Sequence, residues 1–105
     1  DTRLARLLST RPGHVPVHVR PHLPNRSLGL DKQKYLLPPD QRVGQLSYVL
    51  MTRMPDIGPN ETLVLLSARD RHLLSQSDRM DTVSRKYADE QGIVHVEYVA
   101  QAAFG

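Results

Sequence analysis

Three histidines stand four residues apart, at positions 14, 18 and 22, a spacing that on one face of a helix would aim three imidazoles at a single metal ion. Pro12, Pro16 and Pro21 fall among them. A proline in a helix interior removes a hydrogen bond and clashes with the preceding turn, so the segment cannot be helical. In a strand, positions four apart are separated by about 13 Å, too far to share an ion whose bonds are about 2 Å long. The pattern therefore predicts surface histidines on a strand and no metal site. Nucleophilic chemistry has no better footing. The chain has no cysteine, which removes thiolate nucleophiles, thiolate ligands and disulfides and is compatible with the cytosol. Its serines lack an elbow or triad context, and its carboxylates fall singly on helix starts and turns. Neither an enzyme nor a cofactor is predicted.

The chemistry that remains belongs to the backbone. Lys34 to Leu37 form a short apolar run with the β-favouring Tyr35, and Pro38 and Pro39 then remove two donors in succession, which confines the run to the edge of a sheet. Asp40 is a candidate helix cap. Val43, Leu46, Val49 and Leu50 recur at three- and four-residue spacing and so share one helical stripe. An edge strand carries unpaired N–H and C=O groups, and beside an apolar helix it offers a groove that an extended peptide can enter as one more strand. Alternation sends Lys34 and Leu36 to one side of that strand, Tyr35 and Leu37 to the other.

Charge favours an acidic visitor. Residues 1–53 hold nine Lys and Arg against three Asp and Glu, and residues 54–105 hold five against eight. The half that contains the groove is thus basic, a field that adds rate and selectivity more than affinity. Nucleic acid is the rival partner for such a charge, but the chain lacks aromatics interleaved along a basic stripe and any recognised binding motif. No apolar run approaches the ~18 residues that cross a bilayer, and no apolar segment near Asp1 reads as a secretion signal.

The elements that must position the groove follow in order. Leu4, Leu7 and Leu8 mark a short amphipathic helix that ends before Pro12 and Gly13. Val15, Val17 and Val19 alternate with polar residues as in a half-buried strand. A polar connector over 22–29 leads to the edge strand and its helix, which is closed near Arg53 by Pro55, Gly58 and Pro59. Thr62 to Leu66 is a continuous apolar run, predicted to lie at the sheet centre. Residues 67–79 are polar apart from Leu73 and Leu74. Met80, Val83 and Tyr87 predict a helix over 80–90 stopped by Gly92, and a last strand covers 93–99.

These segments also carry a resemblance. LDKQKYLLPPDQRVGQ (residues 30–45), RPGHVPV (11–17), QGIVHVEY (91–98) and the terminal Phe104 and Gly105 are similar to the signature of the autophagy-related ubiquitin-like modifiers, relatives of the GABA-receptor-associated protein and the microtubule-associated light chains. The resemblance spans nearly the whole chain. It implies an α+β, ubiquitin-like β-grasp: a four-stranded mixed sheet packed on a central helix, with a short N-terminal helix where the family carries two. It divides residues 1–105 into one domain, with the helix and break at 1–10, the β-grasp over 11–99 and a flexible tail over 100–105.

It further implies that Gly105 is the conjugation point. A processing cysteine protease would expose it, activating and conjugating enzymes would carry it, and the amine of phosphatidylethanolamine would receive it. The protein would be cytoplasmic until lipidation brings it to the autophagosome membrane and the vacuole or lysosome. Its partners would be cargo receptors and autophagy adaptors bearing aromatic-x-x-aliphatic motifs, with no nucleic acid among them. An aromatic pocket would use Leu7, Pro16, His18, Lys34, Leu36 and Ile93. An aliphatic pocket would use Tyr35, Leu37, Pro38, Leu46, Val49 and Arg53, with Leu46 equally readable as core. Arg3, Arg11, His14, Gln41, Leu46 and Ile93 depart from the family pattern, which bears on ligand preference rather than on the existence of a groove. An adaptor of the same fold that is never conjugated is the alternative.

Overall fold

Prolines and glycines punctuate the chain into seven elements. The computed structural model describes residues 2–103 and contains α1 (Thr2–Thr10), β1 (Val15–Pro21), β2 (Lys34–Leu37), α2 (Val43–Thr52), β3 (Glu61–Ser67), α3 (Met80–Tyr87) and β4 (Val94–Ala102). The strands form one mixed sheet in the order β2-β1-β4-β3. β1 pairs antiparallel with β2 and parallel with β4, and β4 pairs antiparallel with β3. Period-two alternation decides which face is dry: Val15, Val17 and Val19 of β1, Leu63 and Leu65 of β3, and Val94, Val96 and Tyr98 of β4 are all buried. They pack with Val43, Leu46 and Leu50 of α2 and with Met80 and Val83 of α3 in a single core. This is the α+β, β-grasp arrangement of a mixed sheet on a central helix.

Four expectations need correction. β3 lies at an edge of the sheet and not at its centre. Its outer edge is occupied at the Leu65–Ser67 end: Ser67 N–H donates to His72 O and Leu74 N–H donates to Leu65 O, both at 2.9 Å, around a bridge between Leu66 and Leu73. Leu74 enters the core while Leu73 remains 68% exposed. The helix at 80–90 ends instead at Tyr87, since Ala88 turns extended and the Asp89 carboxylate takes the N–H groups of Gln91 and Ile93.

Residues 100–102 are not a flexible tail. β4 continues through them, pairing Ala100 with Leu63, Gln101 with Thr62 and Ala102 with Glu61. The residue before α2 is Arg42 rather than Asp40, and its N–H donates to the Gln45 side chain at 2.8 Å. No capping carboxylate is needed, because the open N–H groups of Val43 and Gly44 donate to the carbonyls of Asp78 and Gln76, each at 2.9 Å.

The connector over 22–33 is polar in composition but anchored. Leu28 and Leu30 are buried, and the Tyr98 hydroxyl donates to Ser27 O at 2.9 Å. Leu28 and Gly29 both have positive φ, at 60° and 78°. Glycine is required at 29, where a Cβ would lie 2.8 Å from Pro55 Cγ.

Candidate peptide-binding site

The register between β1 and β2 fixes which backbone groups of β2 face outward. Pro16 stands opposite Leu36, and proline has no N–H, so this pair cannot exchange ladder hydrogen bonds. In an antiparallel ladder bonded and non-bonded pairs alternate. Tyr35 and Leu37 therefore direct their N–H and C=O groups to β1, consistent with the next bonded position, where Val19 N–H donates to Gln33 O at 2.8 Å. Lys34 and Leu36 direct theirs away from the sheet. Among the described residues no strand pairs with that outer edge.

On the sheet face opposite α2, a groove of ≈ 880 Å³ runs between β2 and α1. Six side chains expected of an aromatic pocket, Leu7, Pro16, His18, Lys34, Leu36 and Ile93, line this single groove. α1 contributes Leu7 at 38% exposure, β1 places Pro16 and His18 on the same side by alternation, β2 does the same for Lys34 and Leu36, and Ile93 stands just ahead of β4. Leu4, Arg3, Arg11, Lys32 and Gln91 also line it and were missing from the expected set. Leu4 was findable, since it precedes Leu7 by three residues and so shares its face of the helix.

The groove is cationic. Arg3, Arg11, Lys32, Lys34 and Arg53 surround it, and Asp31 is the one acid among the described lining residues. Asp31 is exposed and lies 3.2 Å from Arg53 Nη2. Lys32 Nζ stands 5.1 Å from the centroid of the Tyr35 ring, whose hydroxyl donates to Lys32 O at 2.9 Å. Burial, then the neighbouring His95 and Lys34, hold the His18 imidazole below its ordinary value, against a weaker opposing pull from Asp89. His18 is therefore neutral at pH 7. Its ring meets that of His95 edge to face, with centroids 5.4 Å apart.

The six residues expected of an aliphatic pocket do not converge. Leu46 is 0% exposed and belongs to the core, which corrects its assignment as a pocket residue: it lies with Val43 and Leu50 on the face of α2 that packs into the core. Leu37 and Tyr35 are buried beside it, and Val49 is partly buried against the same cluster. Arg53 and Tyr35 line the first groove. Pro38 instead borders a separate hollow of ≈ 580 Å³ with Asp40, Gln41, Arg42 and Gln45. That hollow is polar, and Gln41 Oε1 is buried there without a hydrogen-bond partner among the described residues. Gly105 lies outside the described residues.

The groove, the open edge and the sheet order come together in a recognisable chain. A family model described as "Autophagy protein Atg8 ubiquitin like" matches residues 2–105. The chain belongs to the Atg8 family. Autophagy-related protein 8i of Arabidopsis thaliana is 29% identical over 108 residues, covering 100% of this chain and 91% of that protein. Microtubule-associated protein 1 light chain 3 gamma of Homo sapiens is 33% identical over 95 residues, covering 90% of this chain and 63% of that protein. The crystal structure of Trypanosoma brucei ATG8 superposes with a TM-score of 0.80 at 28% identity, covering 99% of this chain and 87% of that one. The ubiquitin-like fold of the Atg8 family is thus that of this chain. Among its described residues no helix is long and apolar enough to cross a membrane, and no cluster of three or more His, Cys, Asp or Glu could hold a metal ion.

Proposed function

We propose that this Atg8-family chain is a modifier of autophagic membranes that recruits partners through an extended aromatic-x-x-aliphatic motif. The observation that carries the reading is the outward pairing edge of Lys34 and Leu36 beside a groove lined by Leu7, Pro16, His18 and Ile93. A peptide strand would take the N–H and C=O groups of those two residues, lay its aromatic side chain over the apolar floor, and place the aliphatic one towards Pro38 and Val49. Acidic residues flanking the aromatic suit the surrounding Arg3, Arg11, Lys32, Lys34 and Arg53.

The conjugation half of the reading rests on family membership, and the residue it would use is Gly105. The glycine carboxylate would be adenylated, passed as a thioester between enzyme cysteines, and joined as an amide to the amine of phosphatidylethanolamine. Without a Cβ, its backbone fits a narrow enzyme channel. The protein itself is then a substrate and adaptor rather than an enzyme, cytoplasmic until lipidation and on autophagosome membranes afterwards. The test is Gly105→Ala followed by fractionation and a gel-shift assay of starved cells. Loss of the membrane-bound, lipase-sensitive form with peptide binding intact is expected. A variant that still becomes lipidated overturns conjugation through this residue, and a wild-type chain that binds peptides but is never lipidated leaves the unconjugated adaptor.

A further inference from the structure

The apolar floor of the groove is interrupted by one imidazole. Apart from Tyr35, whose hydroxyl is bonded to Lys32 O, His18 is, among the described residues, the only polar side chain on the groove that is not exposed. Its ring nitrogens make no hydrogen bond among the described residues; its one recorded ring contact is with His95. His95 is in turn tethered, with Nε2 2.8 Å from Asp89 Oδ2. A tethered ring thus holds a second ring whose donor and acceptor are both unspent.

From this geometry, and resting on the peptide-groove reading above, we infer that His18 selects the aromatic anchor: its free nitrogen accepts the N–H of an indole or bonds a phenol hydroxyl, so tryptophan and tyrosine are preferred to phenylalanine. A phenyl ring laid over His18 strips water from the imidazole and gives nothing back, whereas an indole or phenol replaces the lost hydrogen bond. The preference depends on protonation. Neutral imidazole has one acceptor nitrogen and imidazolium has none, so an indole, which can only donate, loses its partner when His18 takes up a proton. The charged and titratable groups that act on the ring are His95 on β4, Asp89 ahead of it and Lys34 on β2; Arg3 and Arg11 line the α1 side of the groove, and Arg20, two residues along β1, is bonded to Glu97. Burial, His95 and Lys34 outweigh Asp89 and hold the imidazole below its ordinary value.

Titration calorimetry on the whole chain tests this with three acidic-flanked peptides that differ only in carrying Trp, Tyr or Phe. At pH 7.5 the ratio of Phe to Trp dissociation constants should be roughly tenfold larger in the wild type than in His18→Leu. His18→Gln, which restores an acceptor that does not titrate, should keep the wild-type ratio. Lowering the pH until the His18 ring is protonated, as followed by its own NMR signal, should shrink the ratio in the wild type and leave it unchanged in His18→Gln. General attraction between an acidic peptide and a protonated His18 acts on both peptides and cancels in the ratio. Equal ratios in wild type and His18→Leu at both pH values overturn the role of His18 while leaving the groove in place. Failure of all three peptides to bind the wild type overturns the groove itself, and the selection with it.

Discussion

Arg20 and Glu97 stand opposite each other across the parallel pairing of β1 and β4, and Arg20 Nε and Nη2 both donate to Glu97 Oε2, at 3.1 and 2.9 Å. His22 Nδ1 lies 2.8 Å from the other carboxylate oxygen. The Glu97 side chain is only 8% exposed. Burial pushes its carboxyl up, but the hydrogen bonds from His22 and Arg20 and their charges together hold it below the ordinary value of 4.5.

Glu97→Gln should therefore cost about 1–2 kcal/mol in denaturant unfolding at pH 7, since an amide cannot replace a carboxylate bonded on both oxygens. A folded carboxyl held below its unfolded value stabilises fully above that unfolded value and loses its contribution as the pH falls through the folded one. The gap between wild type and Glu97→Gln should accordingly close below about pH 4.5. A gap that does not narrow as the pH falls below the unfolded value would contradict the assignment.

Arg71 is exposed and has a φ of 55°, close to the 60° of the buried Leu28. The left-handed region costs an L side chain roughly 1–2 kcal/mol, and glycine none of it. Arg71→Gly should raise stability by about 0.5–1 kcal/mol after the extra entropy of glycine in the unfolded chain. Leu28→Gly relieves the same backbone but empties a core position, and should lower stability by about 2 kcal/mol. Urea unfolding of the two variants reads the opposite signs directly.

α1 has no buried residue over its nine positions. Helices of this length are marginal unless packing holds them. Amide exchange over residues 5–10 should be at least a hundredfold faster than at Leu63, Leu65 and Val96, and should slow when a peptide fills the groove that Leu4 and Leu7 line. Exchange as slow as that of β3 would show that α1 is held by more than its half-exposed leucines.

Leu36 and Tyr35 are neighbours on β2: Leu36 is half-buried on the groove, whereas Tyr35 is buried in the core and only borders the groove. Peptides of the proposed motif should bind with a dissociation constant on the order of micromolar, after association and ordering costs offset most of the buried area. Leu36→Ala should weaken that binding about tenfold with a melting temperature near wild type. Tyr35→Ala should instead cost about 3 kcal/mol of stability. Unchanged affinity in Leu36→Ala would remove β2 from the binding surface.

The element order was legible because the breakers are unambiguous. Pro12 and Gly13, Pro38 and Pro39, Pro55 and Gly58, and Gly92 leave little choice of where helices and strands stop, and the valines of β1 alternate without interruption. β3 was misplaced for a physical reason. An apolar run reports that side chains on both faces are at least partly covered, not where in the sheet the strand lies, and the segment at residues 72–74 that pairs with its end carries only Leu73 and Leu74 as a signal. The aromatic-groove residues could be assembled from the strand period and the family resemblance. Leu46 could not be apportioned in that way, because a helical stripe gives the direction of a side chain but not the depth of what covers it. Gln41 gave no warning at all: residues 76–81, distant in sequence, bond back onto 39–44, as in Met80 N–H to Gln41 O at 2.8 Å.

The two borders of the sheet are treated differently, and the difference sets a stoichiometry. Residues 72–74 bond to Leu65–Ser67 on the outer border of β3, whereas that of β2 is left open among the described residues. A guest strand can therefore pair along the whole of β2, while at the far side the segment 72–74 shortens what a further guest could bond. Two copies meeting β2 to β2 would form a closed pair. Sheets vacant on both sides propagate into fibres; blunting one border favours a single extended guest on the other.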